Sequence, residues 1–313
     1  MPAFTAAAPA KIILFGEHAV VYGEPALAVP VTTLQARAVV SAQIGGARGE
    51  ILIDAPDIGL SSLANELAND HPLRAAVAAA AGTNDLNQIP ACRILITSTI
   101  PISSGLGSSA AVSAAVIRAF SAFLGKRLAD DEVSDLTFQV EKIQHGAPSG
   151  IDNNVVVHQK PVYYQKGKTL EYLSIKEAFE ILIADSGIPG STLTAVESVR
   201  KKWLANQQDC EKLFSRIGEI SRSAREIITR GDPRDLGPLM NENQECLREL
   251  GVSLPELDRL AESALEAGAL GAKLSGGGLG GNLIALSDDQ SHRIEGALLD
   301  AGAQSVLPTT IHS

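Results

Sequence analysis

The chain has 313 residues, enough for one large or two ordinary domains, and 45% of them are hydrophobic, which allows a substantial core. Its net charge of −10 repels nucleic-acid backbones, and an aromatic content of 4% leaves few rings to stack on bases. These values argue against a nucleic-acid-binding protein.

The cysteines and the apolar runs point to a reducing, non-membrane environment. Cys92, Cys210 and Cys246 show no close pairing and no metal-binding spacing, so we expect reduced thiols. No window of 18 uninterrupted apolar residues predicts a membrane span, and the N-terminus lacks a signal-peptide pattern. We therefore expect a cytoplasmic protein without a membrane partner.

Near the N-terminus, three ionisable residues interrupt an apolar stretch. Lys11 opens a predicted strand over 12–15, and Gly16-Glu17-His18 follows as a loop. One such residue at a strand end commonly points to solvent, but three that flank a glycine turn favour a polar pocket.

The next segments predict a strand meander and one helix. Residues 34–41 and 50–54 have the composition of strands, and 56–69 predicts a loop followed by a short helix. The alanine-rich segment Pro72–Ala81 predicts a helix that ends at Gly82.

The most informative stretch is Pro101-Ile-Ser-Ser-Gly-Leu-Gly-Ser-Ser-Ala-Ala111. Residues 91–99 before it are rich in β-branched side chains and predict a strand. Residues 112–125 after it carry apolar side chains at helical spacing. The stretch is therefore expected to be a small-residue loop that joins a strand to the start of a helix.

Glycines and serines give this loop the chemistry of an anion site. Gly105 and Gly107 permit turns that a Cβ would forbid and allow a ligand to come close. Ser108 and Ser109 fall at the cap or first turn, where amides lack partners and the helix dipole is positive. Together these features predict a phosphate cradle.

Two other nucleotide-binding patterns fit less well. Residues 105–110 also match the dinucleotide pattern G-x-G-x-x-A, but Gly125-Lys-Arg127 stands where an acidic residue is needed. A Walker loop requires a lysine after its glycines, and none follows here.

A helix with an acidic candidate and a turn-rich segment come next. Asp130–His145 predicts a helix that carries Glu141. Asp152 lies in a loop dense in turn formers, where an ordinary turn role is the alternative to catalysis. Residues 155–158 predict a strand, with a hairpin around 159–161.

The second half of the chain is richer in long helices. Helices are predicted over 192–206, 210–230, 235–250, 255–267 and 290–301, and short strands over 170–173, 181–185, 283–286 and 305–307. Gly271–Asn282 is a second glycine loop whose apolar flanks favour close approach to a ligand over a flexible linker. The composition shifts near 166–175, which predicts an α+β chain with domains 1–168 and 169–313.

Three separated motifs resemble, in the same order, the GHMP kinase superfamily of galactokinase, homoserine kinase, mevalonate kinase and phosphomevalonate kinase. They are Lys11…His18, Pro101…Ala111 and Lys273-Leu-Ser-Gly-Gly-Gly278. Residues 11–23 and 145–153 are most similar to the mevalonate kinase branch. The resemblance covers essentially the whole chain. It implies an N-terminal domain like ribosomal protein S5 domain 2 and a C-terminal ferredoxin-like domain.

The resemblance also implies a reaction, cofactors and an assembly. The reaction is transfer of the ATP γ-phosphoryl group to the 5-hydroxyl of (R)-mevalonate, with Mg²⁺ as cofactor, by a homodimer. The residues implied to bind ATP are Pro101, Ser103, Ser104, Gly105, Leu106, Gly107, Ser108 and Ser109. Ser109 and Glu141 are implied as Mg²⁺ ligands, since this hard cation prefers oxygen.

The remaining roles follow from the same resemblance. Asp152, eleven positions after Glu141 as in the family, is implied to orient or deprotonate the attacking hydroxyl. Lys11 is implied to lie beside Asp152 and to stabilise the transferring charge. The residues implied to bind mevalonate are Glu17, His18, Thr192 and Gly277.

One departure and two alternatives accompany this interpretation. Leu279 stands where members of the resembled family usually have Gly or Arg, which argues against a cationic role of the third loop and leaves its backbone role intact. The first alternative is a sister kinase for phosphomevalonate, homoserine or a sugar. A phosphorylated acceptor would want extra cations in its pocket, and the loops near Glu17 and Thr192 offer few, with Arg37, Arg200 and Lys201 as the candidates. A non-catalytic ligand sensor on the same fold would have lost the base or a metal ligand, and both are present.

Overall fold

The computed structural model of the chain describes residues 3–83, 88–102, 104–146 and 148–312. It divides into two compact units. The first contains Met1–Lys11, Thr32–Ile102 and Gly107–Gln159, and the second contains Ile12–Val31, Ser103–Leu106 and Lys160–Ser313. The domain boundary after residue 168 stays a prediction. In the described ranges, no helix has the length and apolar character needed to cross a membrane.

Strands and helices alternate irregularly along the chain. The elements up to residue 159 are β1 (Ala3–Phe15), β2 (Ala26–Ala42), β3 (Ile51–Ala55), β4 (Leu60–Leu63), α1 (Pro72–Ala81), β5 (Cys92–Ser98), α2 (Ser108–Phe123), α3 (Asp130–His145) and α4 (Ile151–His158). The later elements are β6 (Val162–Tyr164), β7 (Glu171–Tyr172), β8 (Phe179–Asp185), α5 (Thr192–Ala205), α6 (Gln207–Arg230), α7 (Leu236–Leu250), α8 (Pro255–Glu266), β9 (Gly271–Ser275), β10 (Asn282–Ser287), α9 (Ser291–Asp300) and β11 (Ser305–Ile311).

Among the described residues, a seven-stranded sheet follows the order β4-β3-β5-β2-β6-β7, with β1 beside β2. In the first unit, helix α2 packs on β5, and α1, α3 and α4 pack against α2. Helix α2 is central, because it contacts α1, α3, α4 and β5. Its alanines at 110, 111, 114 and 115 are buried, and such small side chains let neighbouring helices approach closely. The result is a rigid support for the start of α2.

In the second unit, antiparallel strands follow the order β11-β8-β10-β9. Helices α7 and α8 pack on β9, and α9 packs on β8 and β11. A short 3-10 turn at Ala19–Tyr22 follows His18. Tyr22 stacks on Phe214 with ring centroids 4.0 Å apart and lies 5.4 Å from Trp203. These aromatic contacts fix the turn against α5 and α6.

The predicted strand at 155–158 and its hairpin are wrong, because these residues form the end of helix α4. Valines favour strands, but here local and tertiary contacts decide the outcome. Asn154 Nδ2 donates to Gly150 O at 2.7 Å, and Asn153 Nδ2 donates to Ser134 Oγ at 2.8 Å. These bonds hold the first turn of α4 while the valines are buried.

Three other elements differ from prediction. The helix predicted within 56–69 is wrong; strand β4 pairs there with β3 after a left-handed turn at Gly59. The glycine segment from 271 to 282 begins with strand β9, so only its later part is a loop. Strand β1 begins at Ala3 instead of Lys11, because the alanine-rich residues before Lys11 already pair in the sheet.

Candidate active site

A buried lysine and a partly exposed carboxylate meet in the first unit. Lys11 on β1 places Nζ 3.2 Å from Asp152 Oδ1. Asp152 lies in the first turn of α4, two residues after the cap Gly150, where the positive end of the helix dipole favours a carboxylate. Its side chain is 34% exposed, so the carboxylate can meet a ligand. The predicted proximity of Lys11 and Asp152 is confirmed.

Gly107 makes room for the stem of this lysine. Gly107 caps α2 with φ of 73°, in the left-handed region where glycine is least strained. A Cβ at this position would lie 2.7 Å from Lys11 Cγ. Ser108 and Ser109 form the first turn of α2, as predicted. The start of this helix and Lys11 are therefore packed directly on each other.

The Ser109 hydroxyl lies beside two side-chain oxygen atoms of α3. Its hydroxyl lies 2.6 Å from Glu141 Oε1 and also bonds Gln144 Oε1, both on α3. One hydroxyl proton serves only one of these two acceptors, so the oxygen group suits a shared hard cation. No cluster of three or more His, Cys, Asp or Glu that could hold a metal occurs among the described residues. A single carboxylate with other oxygens is nevertheless a sufficient protein ligand set for Mg²⁺.

The loop before α2 is tied down at its backbone. Asn282 Nδ2, at the start of β10, donates to Ser104 O at 2.5 Å. Leu106 is buried, whereas Pro101 is exposed, and nothing approaches the side of Gly105 where a Cβ would stand. The predicted ATP-binding residue Ser103 lies outside the described residues.

His18 is held in a strained turn in the second unit. It is 5% exposed and has φ of 60°, which is unfavourable for any residue but glycine. Its Nε2 lies 2.8 Å from Gly277 O. A carbonyl only accepts, so Nε2 carries the proton and donates. Burial lowers the pKa of His18, which favours the neutral ring and leaves Nδ1 as an acceptor.

Thr192 lies against the same glycine loop. A Cβ at Gly277 would be 3.0 Å from Thr192 Cα, so the loop and the start of α5 touch. Ser191 caps α5, since its Oγ accepts from Thr194 N. His18, Gly277 and Thr192, all predicted to bind one substrate, are thus brought together.

Glu17 forms a buried ion pair beneath this group. The side chains of Lys273 and Glu17 are 0% and 1% exposed, and Lys273 Nζ bonds Glu17 Oε1. Lys273 Nζ also donates to Leu274 O at 2.6 Å. Asn243 Nδ2 lies 3.5 Å from Glu17 Oε2. Burial raises the pKa of Glu17 and lowers that of Lys273, while their mutual attraction opposes both effects.

Comparison with known proteins decides the family. The family model for the GHMP kinases N terminal domain matches residues 71–159 of the sequence. The family model described as GHMP kinases C terminal matches residues 224–303. A mevalonate kinase of Thermococcus sibiricus is 36% identical over 320 residues, which cover 96% of this chain and 94% of that protein. The chain belongs to the GHMP kinase family.

Solved structures of two relatives share the fold of this GHMP kinase. The mevalonate kinase of Methanococcus jannaschii aligns with a TM-score of 0.86 and 26% identity over 99% of this chain and 98% of that one. The L. major mevalonate kinase in complex with R-mevalonate aligns with a TM-score of 0.84 and 27% identity over 98% and 95% of the two chains. The predicted family and two-domain fold are confirmed, and the protein is an ATP-dependent kinase.

Sequence reasoning assigned no role to four polar residues of this kinase. Gln144 follows Glu141 by three positions, so helical spacing could have placed it beside Ser109. Asn282 ends the glycine run and gives no local sign of its bond to Ser104. Lys273 stands in an apolar strand, which was a signal that a buried charge needs a partner, and Asn243 gave no signal.

Proposed function

We propose that the protein transfers the γ-phosphoryl group of ATP to the 5-hydroxyl of (R)-mevalonate, giving 5-phosphomevalonate and ADP. The observation that carries the chemistry is the Lys11–Asp152 pair, packed on the start of α2. The acceptor is proposed from the relatives, which are named mevalonate kinases at 36% identity over nearly the whole chain.

Binding of ATP is proposed for the loop 101–109 and the first turn of α2. Unpaired amides and the positive end of the helix dipole suit phosphate oxygens. Ser109, Glu141 and Gln144 would hold Mg²⁺, whose charge would neutralise the phosphates. The bond from Asn282 to the Ser104 carbonyl would hold the backbone at that residue before ATP arrives.

Catalysis is proposed for the ion pair. Asp152 would orient the 5-hydroxyl and accept its proton as the new O–P bond forms and the bond from Pγ to ADP breaks. Lys11 would stabilise negative charge on the transferring group, and its burial strengthens this effect. The glycine at 107 is needed because it lets the lysine stem lie against the phosphate loop.

Acceptor binding is proposed for the group around His18. The Nδ1 atom of neutral His18 would accept a hydrogen bond from a mevalonate hydroxyl. The Thr192 side chain and the Gly277 backbone would complete the contact, since Thr192 lies against Gly277. Glu17 was also predicted to bind mevalonate, but its oxygens face Lys273 and Asn243.

Two properties of the whole protein are proposed from the family resemblance and from its cysteines. We propose a homodimer, which sedimentation of the purified protein tests. We also propose the cytoplasm as its location, because reduced cysteines suit that compartment, and cell fractionation tests this.

The decisive experiment measures ADP release from Mg·ATP with mevalonate, phosphomevalonate, homoserine and galactose as acceptors. Turnover with mevalonate alone supports the proposal. Asp152→Asn and Lys11→Met should each lower kcat by at least ~100-fold with little change in ATP binding. Asp131→Asn, which removes an exposed carboxylate on α3, is the matched control and should keep full activity.

Other outcomes identify the alternatives. Turnover with another acceptor would make the protein a sister kinase and refute the acceptor assignment. Tight ATP binding without turnover on any acceptor would favour a ligand sensor. Full activity of Asp152→Asn would refute the role of the carboxylate.

A further inference from the structure

The buried pair of Glu17 and Lys273 has no direct part in the proposed chemistry. Both side chains are closed off from solvent, and the ammonium of Lys273 is surrounded by Glu17 Oε1, Leu274 O and the face of the Phe15 ring at 5.8 Å. Glu17 Oε2 faces the buried amide of Asn243. Neither charged group can therefore touch a substrate without leaving its partners.

Stability alone does not explain such a pair. Removing two charges from water costs free energy that their attraction often only balances, and apolar residues of similar volume are frequently as stabilising. A pair in this position is better explained by the geometry that it imposes. Its two members lie on the two segments that carry the proposed acceptor-binding residues: Glu17 directly precedes His18, and Lys273 lies four residues before Gly277.

The pair is one of three bonds that fasten the segment from Lys273 to Gly277 to the segment from Ile13 to His18. Ser275 Oγ donates to Ile13 O at 2.7 Å, and His18 Nε2 donates to Gly277 O. Lys273 bonds Glu17, the residue next to His18. The turn that the bonds hold is strained, since His18 has a positive φ.

We infer that Lys273 is a positioning residue of the acceptor site, which acts through Glu17 to hold His18 in the orientation that presents Nδ1. What His18 is positioned for rests on the proposed function. Glu17 then serves as the anchor of the turn, and the acceptor meets His18, Thr192 and the Gly277 backbone instead.

The test compares Lys273→Met, Glu17→Gln and the double variant by steady-state kinetics. A side chain displaced by about 1 Å can cost ~100-fold, so kcat/KM for mevalonate should fall by that order in each single variant. The loss should lie mainly in KM for mevalonate, with KM for ATP changed less than about twofold, since the ATP loop is held by a different bond, from Asn282 to Ser104. An equal rise in both KM values would overturn the inference.

The double variant distinguishes an effect on the position of His18 from an effect on the stability of the folded protein. Lys273→Met alone leaves a buried carboxylate without its cation and should lower the melting temperature. Adding Glu17→Gln removes that charge and should recover the melting temperature, while KM for mevalonate stays high. Recovery of KM together with stability would refute a positioning role. If Lys273→Met does not fold, the double variant carries the test.

A control variant and a spectroscopic readout complete the experiment. Arg118→Met breaks an ion pair with Asp130 in the first unit and should lower stability without raising KM for mevalonate. Nitrogen-15 NMR of the His18 ring should show the Nε2-protonated tautomer in the wild type and a mixture in Lys273→Met. An unchanged tautomer would overturn the inference. This readout needs no turnover, so it stays decisive if the wild type does not phosphorylate mevalonate.

Discussion

The contact between Gly107 and Lys11 allows a sharp test of the catalytic assignment. In Gly107→Ala, the new Cβ would lie 2.7 Å from Lys11 Cγ and 3.2 Å from Cε. Carbon atoms settle at roughly 3.5–4.0 Å, so the lysine stem must move by about 1 Å. A shift of that size at a catalytic group can cost ~100-fold in rate, or ~2.7 kcal/mol of transition-state stabilisation.

The matched control is Gly125→Ala, beyond the other end of α2. Gly125 also has a positive φ, of 92°, but nothing lies within 4 Å of the position of its Cβ. Both variants carry the strain of a left-handed alanine, ~1–2 kcal/mol, which should appear in urea unfolding of each. Only Gly107→Ala should lose kcat, measured with saturating ATP and mevalonate. If its kcat stays within threefold of that of Gly125→Ala, the proposed role of Lys11 is refuted.

Two further predictions concern titratable groups. Burial lowers the pKa of His18 from its ordinary value of 6.5, so below pH 6.5 the unfolded chain binds more protons there than the folded one. The free energy of unfolding should therefore fall between pH 7.5 and 5.5 more steeply in the wild type than in His18→Gln, and parallel curves from urea titrations would contradict this. Burial also raises the pKa of Cys92 to about 12 and that of Cys246 to about 11, so a thiol reagent at pH 8 should label these cysteines only after denaturation; rapid labelling of the native protein would show that this burial is wrong.

The sequence predicted best where local signals and tertiary packing agree. Helices Pro72–Ala81 and Asp130–His145 have the predicted bounds, because apolar spacing and end signals coincide there. Helix α4 was predicted as a strand, since its valines favour extended backbone while distant contacts enforce a helix. Local propensity carries no information about those contacts.

In the candidate site, too, features set by local sequence were predictable and features set by distant contacts were not. The glycine and serine pattern was sufficient to place Ser109 at the start of a helix, and the family resemblance was needed to place Asp152 beside Lys11. The depth of Glu17 was not predictable, because its partner Lys273 is remote in sequence. Leu279 has φ of 54°, where glycine is least strained, so the glycine that the family resemblance implies at this position would fit the backbone with less strain.

The bonds that hold the His18 turn also set an order of assembly during synthesis. Glu17 precedes Lys273 by 256 residues, and His18 precedes Gly277 by 259. At roughly 5–20 residues per second, a ribosome needs tens of seconds to travel that distance. Throughout that time the Glu17 carboxylate of the nascent chain lacks Lys273, the cation beside which it is buried in the folded protein. Glu17 and His18 are synthesised early, but they gain these partners only after β9 and the residues that follow it have been synthesised. A chain truncated before β9 should therefore lack the bonds that hold the His18 turn.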